Sequence, residues 1–534
     1  MSEAPRPASL LSELFRKLRI GEALNDFECR SLIDGALTSE QQCSALTGLA
    51  LRAQPSEPEL HALRQIGEQH LDVVSMLGRE TLERLKGTPD IPSATGPWLS
   101  AMEAVLQTRP LGNANIQSVI NDIVKDGERD HFAAALLMAI AIKGLQSSDV
   151  ESLTQAMALS GDQYDYRDEP ALAGARLIRR YPTGALSEKT ALILPALICA
   201  SRRDANVCSP FLVAKSLGHT GGTWDKLSSI PGFQFPEPGE RSVATLAKCG
   251  VAMVVTHGNV NPADRKLYQL RSAIGAVESP PLIISSIASK QLCFPVHRFL
   301  LDVRIGVDSF LTNEAEGIHV GRTIDGMLRR VGIASSFTLT AGVQPTGTAI
   351  GNAMEVAEAI AVMGGEDSFW DRRGILEQRL LVIDFFAKLM AAEFPQRSAS
   401  EWARFASNQF ESGAVLAGFE CLLVAHGVTS SIASQLRHDA LRTLSVHRHS
   451  EMIGSNCSGV IRRLDQIRLG GIIYHNLGAG GNQFAGMFDP RVGLKLAIRL
   501  GDIVSDSDPL CWVFTAEPIS VDIRSAIESC FHIN

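Results

Sequence analysis

No two of the chain's ten cysteines form a C-x-x-C pair, and none has clustered histidines beside it. That pattern excludes a zinc ribbon or a disulfide frame and reads as reduced thiols in a core. Long apolar runs are lacking too. The longest, near Phe132 to Ile142, is too short to span a bilayer, and the opening MSEAPRPASLLSELFRKL has no apolar signal core. A cytoplasmic protein without membrane contact is expected. Positive charge is not in excess either: 50 basic against 58 acidic residues leave a net charge of −8, which argues against a nucleic-acid partner. The 534 residues, 45% hydrophobic and 20% charged, are too many for one ordinary core and imply two or three domains or interleaved segments.

Residues 1 to about 165 carry apolar positions at helical spacing and few β-branched runs. They contain a faint repeat. SLIDGALTSEQQCSALTGLALRAQPSEPELHAL from Ser31 echoes SVINDIVKDGERDHFAAALLMAIAIKGLQSSDVESL from Ser118, matching Leu46 to Leu136 and Leu63 to Leu153. Each copy reads as a helix pair able to bury an apolar face against the other in a small bundle. GTPDIPSATGPW, residues 87 to 98, is a Pro, Gly and Ser-rich connector, so the first copy reads as a separable addition.

From about residue 175 short apolar runs alternate with helical stretches. ALILPALICA (191 to 200), SPFLVAK (209 to 215), VAMVVTHG (251 to 258) and RFLLDVRIG (298 to 306) predict buried parallel strands of an α/β sheet. Ligand loops in such sheets follow the carboxyl ends of strands. After SPFLVAK comes SLGHTGGTWDKLSSIPGF, where Gly218, Gly221 and Gly222 let backbone approach a ligand and Thr220 and Thr223 supply hydroxyls, a composition suited to an anion or a sugar. Between 262 and 292 two helices are divided at Pro280 and Pro281, with Ser279 as a natural N-cap. On the second, Ser286 and Lys290 are four apart, hence on one face among Ile283, Ile284 and Ile287. After several more amphipathic helices, GVIRRLDQIRL, GGIIYHNLGAGGNQ and RLGDIVSDSDPLCWVFT read as short strands and glycine turns of a small C-terminal module, with LGAGGN as a tight β-turn.

GHTGGTWDKLSSIPGF is similar, nearly letter for letter, to the signature of thymidine and pyrimidine-nucleoside phosphorylases. The resemblance extends through PADRKLYQLRSAIGAVESPPLIISSIASKQL, FLLDVRIGVDSF and GNAMEVAEAI, and covers roughly residues 110 to 534. It implies a two-lobed α/β fold: a helical base-binding lobe from 100–170 plus 262–294, an α/β phosphate- and sugar-binding lobe from 175–260 plus 296–440, and a C-terminal α+β module over 445–534. Residues 1–90 would be an extra helical segment. It also implies a homodimer, inorganic phosphate as co-substrate, no cofactor and no metal. The family's base-binding and catalytic residues carry over to Arg271, Ser286 and Lys290. Arg and Lys donate to pyrimidine carbonyls, and they gain strength as the base leaves as an anion.

The phosphate side departs from the family. Where the family motif reads K-H-S-T-G-G, this chain has Arg180, Tyr181, Pro182, Thr183, Gly184 and Ala185; Glu188 keeps an acidic residue, while Ala191 and Val213 replace serines. Thr183, Gly184, His219, Thr220 and Thr223 remain as expected phosphate or sugar ligands, with Tyr181 near the base. Arg179 and Arg180 are expected to compensate as a guanidinium pair gripping oxyanions, aided by Arg202, Arg203, Lys215, Lys189 or Thr190. Three readings follow. One is phosphorolysis of a pyrimidine nucleoside. Another is a phosphoribosyltransferase taking a sugar phosphate, with magnesium loosely held by Glu188 and Asp225. The third is a non-catalytic nucleoside or nucleotide binder.

Overall fold

The computed structural model describes residues 8–33, 37–77, 96–125, 127–215, 220–255, 258–364, 368–480 and 488–534. The chain divides into two compact units, one of Met1–Gln163 with His257–Cys293 and the other of Tyr164–Thr256 with Phe294–Asn534.

The first unit is helical. Its repeat is a triplet of helices in each copy instead of the expected pair: Asp26–Ile33, Ser39–Ala50 and Glu57–Gln69, then Asn113–Lys125, Asp130–Lys143 and Ser147–Ala158. The sequence pattern hid the third helix because Leu63 and Leu153 anchor it beyond the apolar middle one. Middle helices Ser39–Ala50 and Asp130–Lys143 pack on each other, with Leu46 and Leu136 both buried. A buried acid repeats as well. Glu59 accepts from Leu24 N at 3.0 Å, and Asp149 accepts from Leu111 N at 3.0 Å; each acid stands third in its helix and ties down the segment that enters its triplet. Glu59 also accepts from Ser56 N and faces Arg52 at 3.2 Å. Glu59→Ala strands these donors and is expected to cost about 2 kcal/mol, read as a lower urea midpoint for the helical unit. Of the connector expected over 87–98, residues 87–95 lie outside the described residues, and Pro97 and Trp98 already begin the helix Pro97–Leu106.

The second unit is built on a five-stranded parallel sheet: β1 (Arg176–Pro182), β2 (Val207–Val213), β3 (Val251–Val255), β4 (Arg298–Ile305) and β5 (Ala334–Ala341), in the order β3-β2-β1-β4-β5. Crossover helices bury the apolar faces of the sheet in one large core. Residues 191–200 correct the sequence reading: they belong to the helix Thr190–Ala205, not to a strand. Its middle is buried on all sides, so the run shows no period that distinguishes helix from strand.

The C-terminal part has a core of its own. β6 (Ala349–Ile350), β7 (Ser450–Gly454), β9 (Gly493–Leu496) and β11 (Pro509–Phe514) form one antiparallel sheet in the order β6-β9-β11-β7. β8 (Gly459–Leu464), β10 (Ile503–Val504) and β12 (Phe531–Ile533) form another in the order β10-β8-β12. GGIIYHN, expected as strand, is instead helical: an α-helix over Gln466–Gly471 runs into a π-helix over Ile472–Asn476. Of the LGAGGN segment, residues 481 and 482 lie outside the described residues.

Candidate active site

In the helical unit, the helices Pro262–Ala273 and Pro280–Cys293 bring three charged side chains into a buried cluster. Asn261, in the left-handed region at φ 43°, caps the first helix by accepting from Asp264 N, and its amide donates to Ser289 Oγ at 2.9 Å. Asp264 thereby faces the second helix, where its Oδ2 pairs closely with Lys290 Nζ. The ammonium also donates to Ser286 Oγ at 2.9 Å and Ser286 O at 3.1 Å, so the predicted Ser286/Lys290 face exists as a bonded pair. Asp264 Oδ1 is buried with no hydrogen-bond partner. The Tyr268 ring lies 5.4 Å from Lys290 Nζ. Arg271 donates to the carbonyls of Ala276, Val277 and Leu282, and burial lowers its pKa to about 10. Three of its five N–H groups are used by these bonds. Ser279 precedes the second helix without capping it; its hydroxyl is buried and unpartnered.

In the α/β unit the strand order reverses between β1 and β4, the place where such sheets open a crevice at their carboxyl ends. Here that place is filled by an ionic cluster. Arg180 reaches Glu188 at 3.3 Å and makes a closer pair with Asp302; Arg304 reaches Glu188 and Asp302, both at 2.9 Å. All four side chains are buried. Burial works against the charge of Glu188, yet Arg180 and Arg304 hold its carboxyl well below the usual carboxylate range. Arg304 feels the same opposition from burial, and the two carboxylates raise its pKa.

The expected Arg179/Arg180 oxyanion pair is not formed. Consecutive residues of a strand face opposite ways, and Arg179 donates instead to the carbonyls of Pro210 and Phe294. Burial pushes its pKa down to about 9. Lys189 pairs with Glu358 at 2.9 Å and Lys226 with Glu355 at 2.8 Å. Arg180, Arg304, Lys189 and Lys226 therefore face Glu188, Asp302, Glu358 and Glu355, four cations against four carboxylates. Thr183 Oγ1 accepts from Arg304 N at 2.9 Å, while Tyr181, Pro182, Gly184 and Ala185 stay partly accessible. Gly184 has φ +114°, and a Cβ there would lie 2.7 Å from the Phe310 ring, so a side chain is excluded twice over. Glu188 and Asp225, the loose magnesium candidates, are both engaged: Asp225 accepts from Gly222 N at 3.0 Å. Among the described residues no group of three or more metal-ligating side chains gathers.

The glycine loop is held from beneath by a residue from the C-terminal part. Tyr474, in the π-helix, accepts from the N–H groups of Gly351 and Gly221 and donates to Glu355 Oε1 at 2.6 Å. A Cβ on Gly221 would lie 2.6 Å from Asn352 Oδ1 and 2.7 Å from the Tyr474 ring. Burial and the Glu355 carboxylate raise the phenol's pKa, so it remains a donor. Lys226, in the helix that follows the loop, donates to Glu188 O at 2.8 Å. The path from loop to ionic cluster is thus continuous. Thr220 and Thr223 remain partly accessible; His219 and Gly218 lie outside the described residues.

No family model matches the chain. Thymidine phosphorylase of Homo sapiens is 28% identical over 404 residues, 75% of this chain and 80% of that protein. Pyrimidine-nucleoside phosphorylase of Geobacillus stearothermophilus is 28% identical over 419 residues, 78% of this chain and 92% of its own. This chain is a divergent relative of the thymidine and pyrimidine-nucleoside phosphorylases. Thymidine phosphorylase of Mycobacterium tuberculosis is 29% identical over 418 residues, 78% of this chain and 90% of its own. Among solved structures, anthranilate phosphoribosyltransferase from Thermus thermophilus covers 61% of this chain and 99% of its own, at 14% identity and a TM-score of 0.46. In this relative of the phosphorylases, Arg271, Ser286 and Lys290 belong to the helical unit, and Arg180, Tyr181, Thr183, Gly184, Thr220 and Thr223 to the α/β unit. Sequence reasoning missed Asp264, Asp302, Arg304 and Tyr474. Asp264 alone left a trace, the N-P-A-D helix start at Asn261.

Proposed function

We propose that the protein is a pentosyltransferase that catalyses reversible phosphorolysis of a pyrimidine nucleoside or deoxynucleoside, releasing free base and pentose 1-phosphate. The observation that carries this reading is the cluster of Lys290, Ser286 and Asp264, in which donors stand beside a buried acceptor without a partner, Asp264 Oδ1. The imide edge of a pyrimidine is the complement, two carbonyl acceptors flanking one N–H donor. A phosphate oxygen attacks the anomeric carbon while the bond from that carbon to the base nitrogen breaks. The electron pair stays on the base, where Lys290 and Arg271 stabilise it more strongly than in the ground state. No protein nucleophile is required. Thr183, Thr220, Thr223 and the Gly184 backbone, with His219, are the proposed anion and sugar contacts, Tyr181 is proposed near the base, and Arg180 supports the anion contacts from behind through Glu188. The same reading makes the protein a cytoplasmic homodimer with inorganic phosphate as co-substrate and no cofactor. Among the described residues no helix is long and apolar enough to cross a membrane.

The test offers purified protein thymidine or uridine with phosphate and follows free base by absorbance. Parallel samples receive phosphoribosyl pyrophosphate, magnesium and free pyrimidine. Turnover in the first arm alone is expected. Turnover only in the second assigns a phosphoribosyltransferase, and nucleoside binding with silence in both assigns a binding protein. Tyr474→Phe supplies a finer check. Losing the hydroxyl takes its acceptor from the Gly221 N–H and its donor from Glu355 Oε1, while the Gly351 N–H keeps Glu355 Oε1 at 3.2 Å, a penalty of about 1–3 kcal/mol. The KM for phosphate is expected to rise about tenfold, the equivalent of 1.4 kcal/mol, while calorimetric affinity for free base stays at the wild-type value. An unchanged phosphate KM would remove Tyr474 from the site.

A further inference from the structure

Far along the helix Thr190–Ala205 from the anion loop, three cysteines converge that the proposed chemistry does not use. Cys199 lies on this helix, Cys249 ends the helix Glu240–Cys249, and Cys421 lies on the helix Ala414–Ala425. Cys199 is the neighbour that acts most strongly on both the Cys249 and the Cys421 thiols, and Cys249 Sγ also donates to Val251 O at 3.0 Å. The backbone explains the approach. A Cβ on Gly418 would overlap Ala196 O and stand 3.0 Å from Ala200 N, so the helices Thr190–Ala205 and Ala414–Ala425 cross nearly in backbone contact, with Cys199 at the crossing and Cys421 one turn beyond Gly418. The three thiols differ in access: Cys421 is exposed, Cys199 intermediate and Cys249 buried.

The surroundings favour a thiolate at the exposed end. Cys199 lowers the pKa of Cys421 to about 6 against the opposing effect of burial, and Lys248, Arg202 and Arg203 act in the same direction. The neighbouring carboxylate, Glu420, is drawn away by Arg437 at 2.6 Å. A cationic, accessible thiolate next to a second thiol is the arrangement of a peroxide-sensitive dithiol.

We propose that Cys421 and Cys199 form a redox pair in which Cys421 is oxidised by hydroperoxides and Cys199 resolves the product as a disulfide. The Cys421 thiolate attacks the peroxide oxygen, forming an S–O bond and breaking O–O; with one proton taken up, water (or an alcohol) leaves and Cys421 becomes a sulfenic acid. The Cys199 sulfur then attacks the Cys421 sulfur, the S–O bond breaks, and the hydroxyl departs as water with the Cys199 proton. Two thiols lose two electrons, which one peroxide gains.

The full-length reduced protein is titrated with hydrogen peroxide, alkylated at intervals and mapped by mass spectrometry, with exposed Cys457 as the internal reference. Cys421 is expected to be lost about tenfold faster than Cys457, with a Cys199–Cys421 disulfide as product, reversed by dithiothreitol. Cys199→Ser is expected to stop the reaction at a sulfenic acid trapped by dimedone. The wild-type rate comparison stands even if that variant folds poorly. Equal loss of Cys421 and Cys457, a Cys199–Cys249 disulfide as the product, or direct passage of Cys421 to sulfinic acid in the wild type would each overturn the pairing.

Discussion

Lys290→Met is expected to destabilise the protein by about 3–5 kcal/mol, because it leaves the Asp264 carboxylate buried without its cation. Methionine fills the volume of the lysine stem, so the effect is one of charge. Asp264 Oδ1 already lacks a hydrogen-bond partner, and among the described residues Lys290 is the one cation shown in contact with Oδ2. Base binding goes as well, since the ammonium between Asp264 and Ser286 is the proposed donor to the pyrimidine. Losing such a donor costs about 10²–10³ in kcat. The two losses separate in Lys290→Met/Asp264→Asn. Neutralising the acid removes the stranded charge, so the melting temperature is expected to return most of the way, while calorimetry still finds no affinity for thymine or uracil. A double variant that binds base like the wild type would remove Lys290 from the pocket. A single variant that melts at the wild-type temperature would mean that the pair is not buried.

That separation shows what sequence can and cannot carry. Ser286 and Lys290 were legible because a helix fixes the meaning of a four-residue spacing. Asp264 was not, because it meets them through the contact of two helices, which no local pattern encodes. The strands β2, β3 and β4 were legible as short apolar runs bounded by turn residues. The same cue failed at residues 191–200, where a helix buried on every side loses its period. The matches of Leu46 with Leu136 and Leu63 with Leu153 located the repeat, yet the buried acids Glu59 and Asp149 that anchor its entering segments differ in type and passed unnoticed. A basic residue in a phosphate loop, such as Arg180, suggests a ligand for an external anion. Its partners, Glu188 and Asp302, lie on the following loop and on the neighbouring strand, and only the parallel register of β1 with β4 brings Asp302 beside it.

Glu188→Gln is expected to destabilise the α/β unit by about 3–5 kcal/mol at neutral pH, the cost of leaving buried charges short of a partner. Glu188 faces both Arg180 and Arg304 and accepts from Thr190, so without its charge two guanidinium groups share Asp302 alone. The dependence on pH identifies the cause. An unfolded glutamate titrates near pH 4.3, whereas in the folded chain Arg180 and Arg304 hold Glu188 well below that range despite its burial. A carboxyl whose folded pKa is depressed contributes its stability in full above the unfolded value and loses it as pH falls toward the folded one. The wild type should therefore exceed Glu188→Gln by a constant margin above about pH 5.5, and the gap should narrow steadily below about pH 4.5 as the unfolded wild-type chain takes up its proton. Parallel urea titrations at several pH values measure that margin directly. A gap that stays constant down to about pH 3 would trace the loss to packing around the amide. A gap that closes assigns it to the charge at the strand ends, where Arg180 acts as a fixed partner of Glu188 and Asp302.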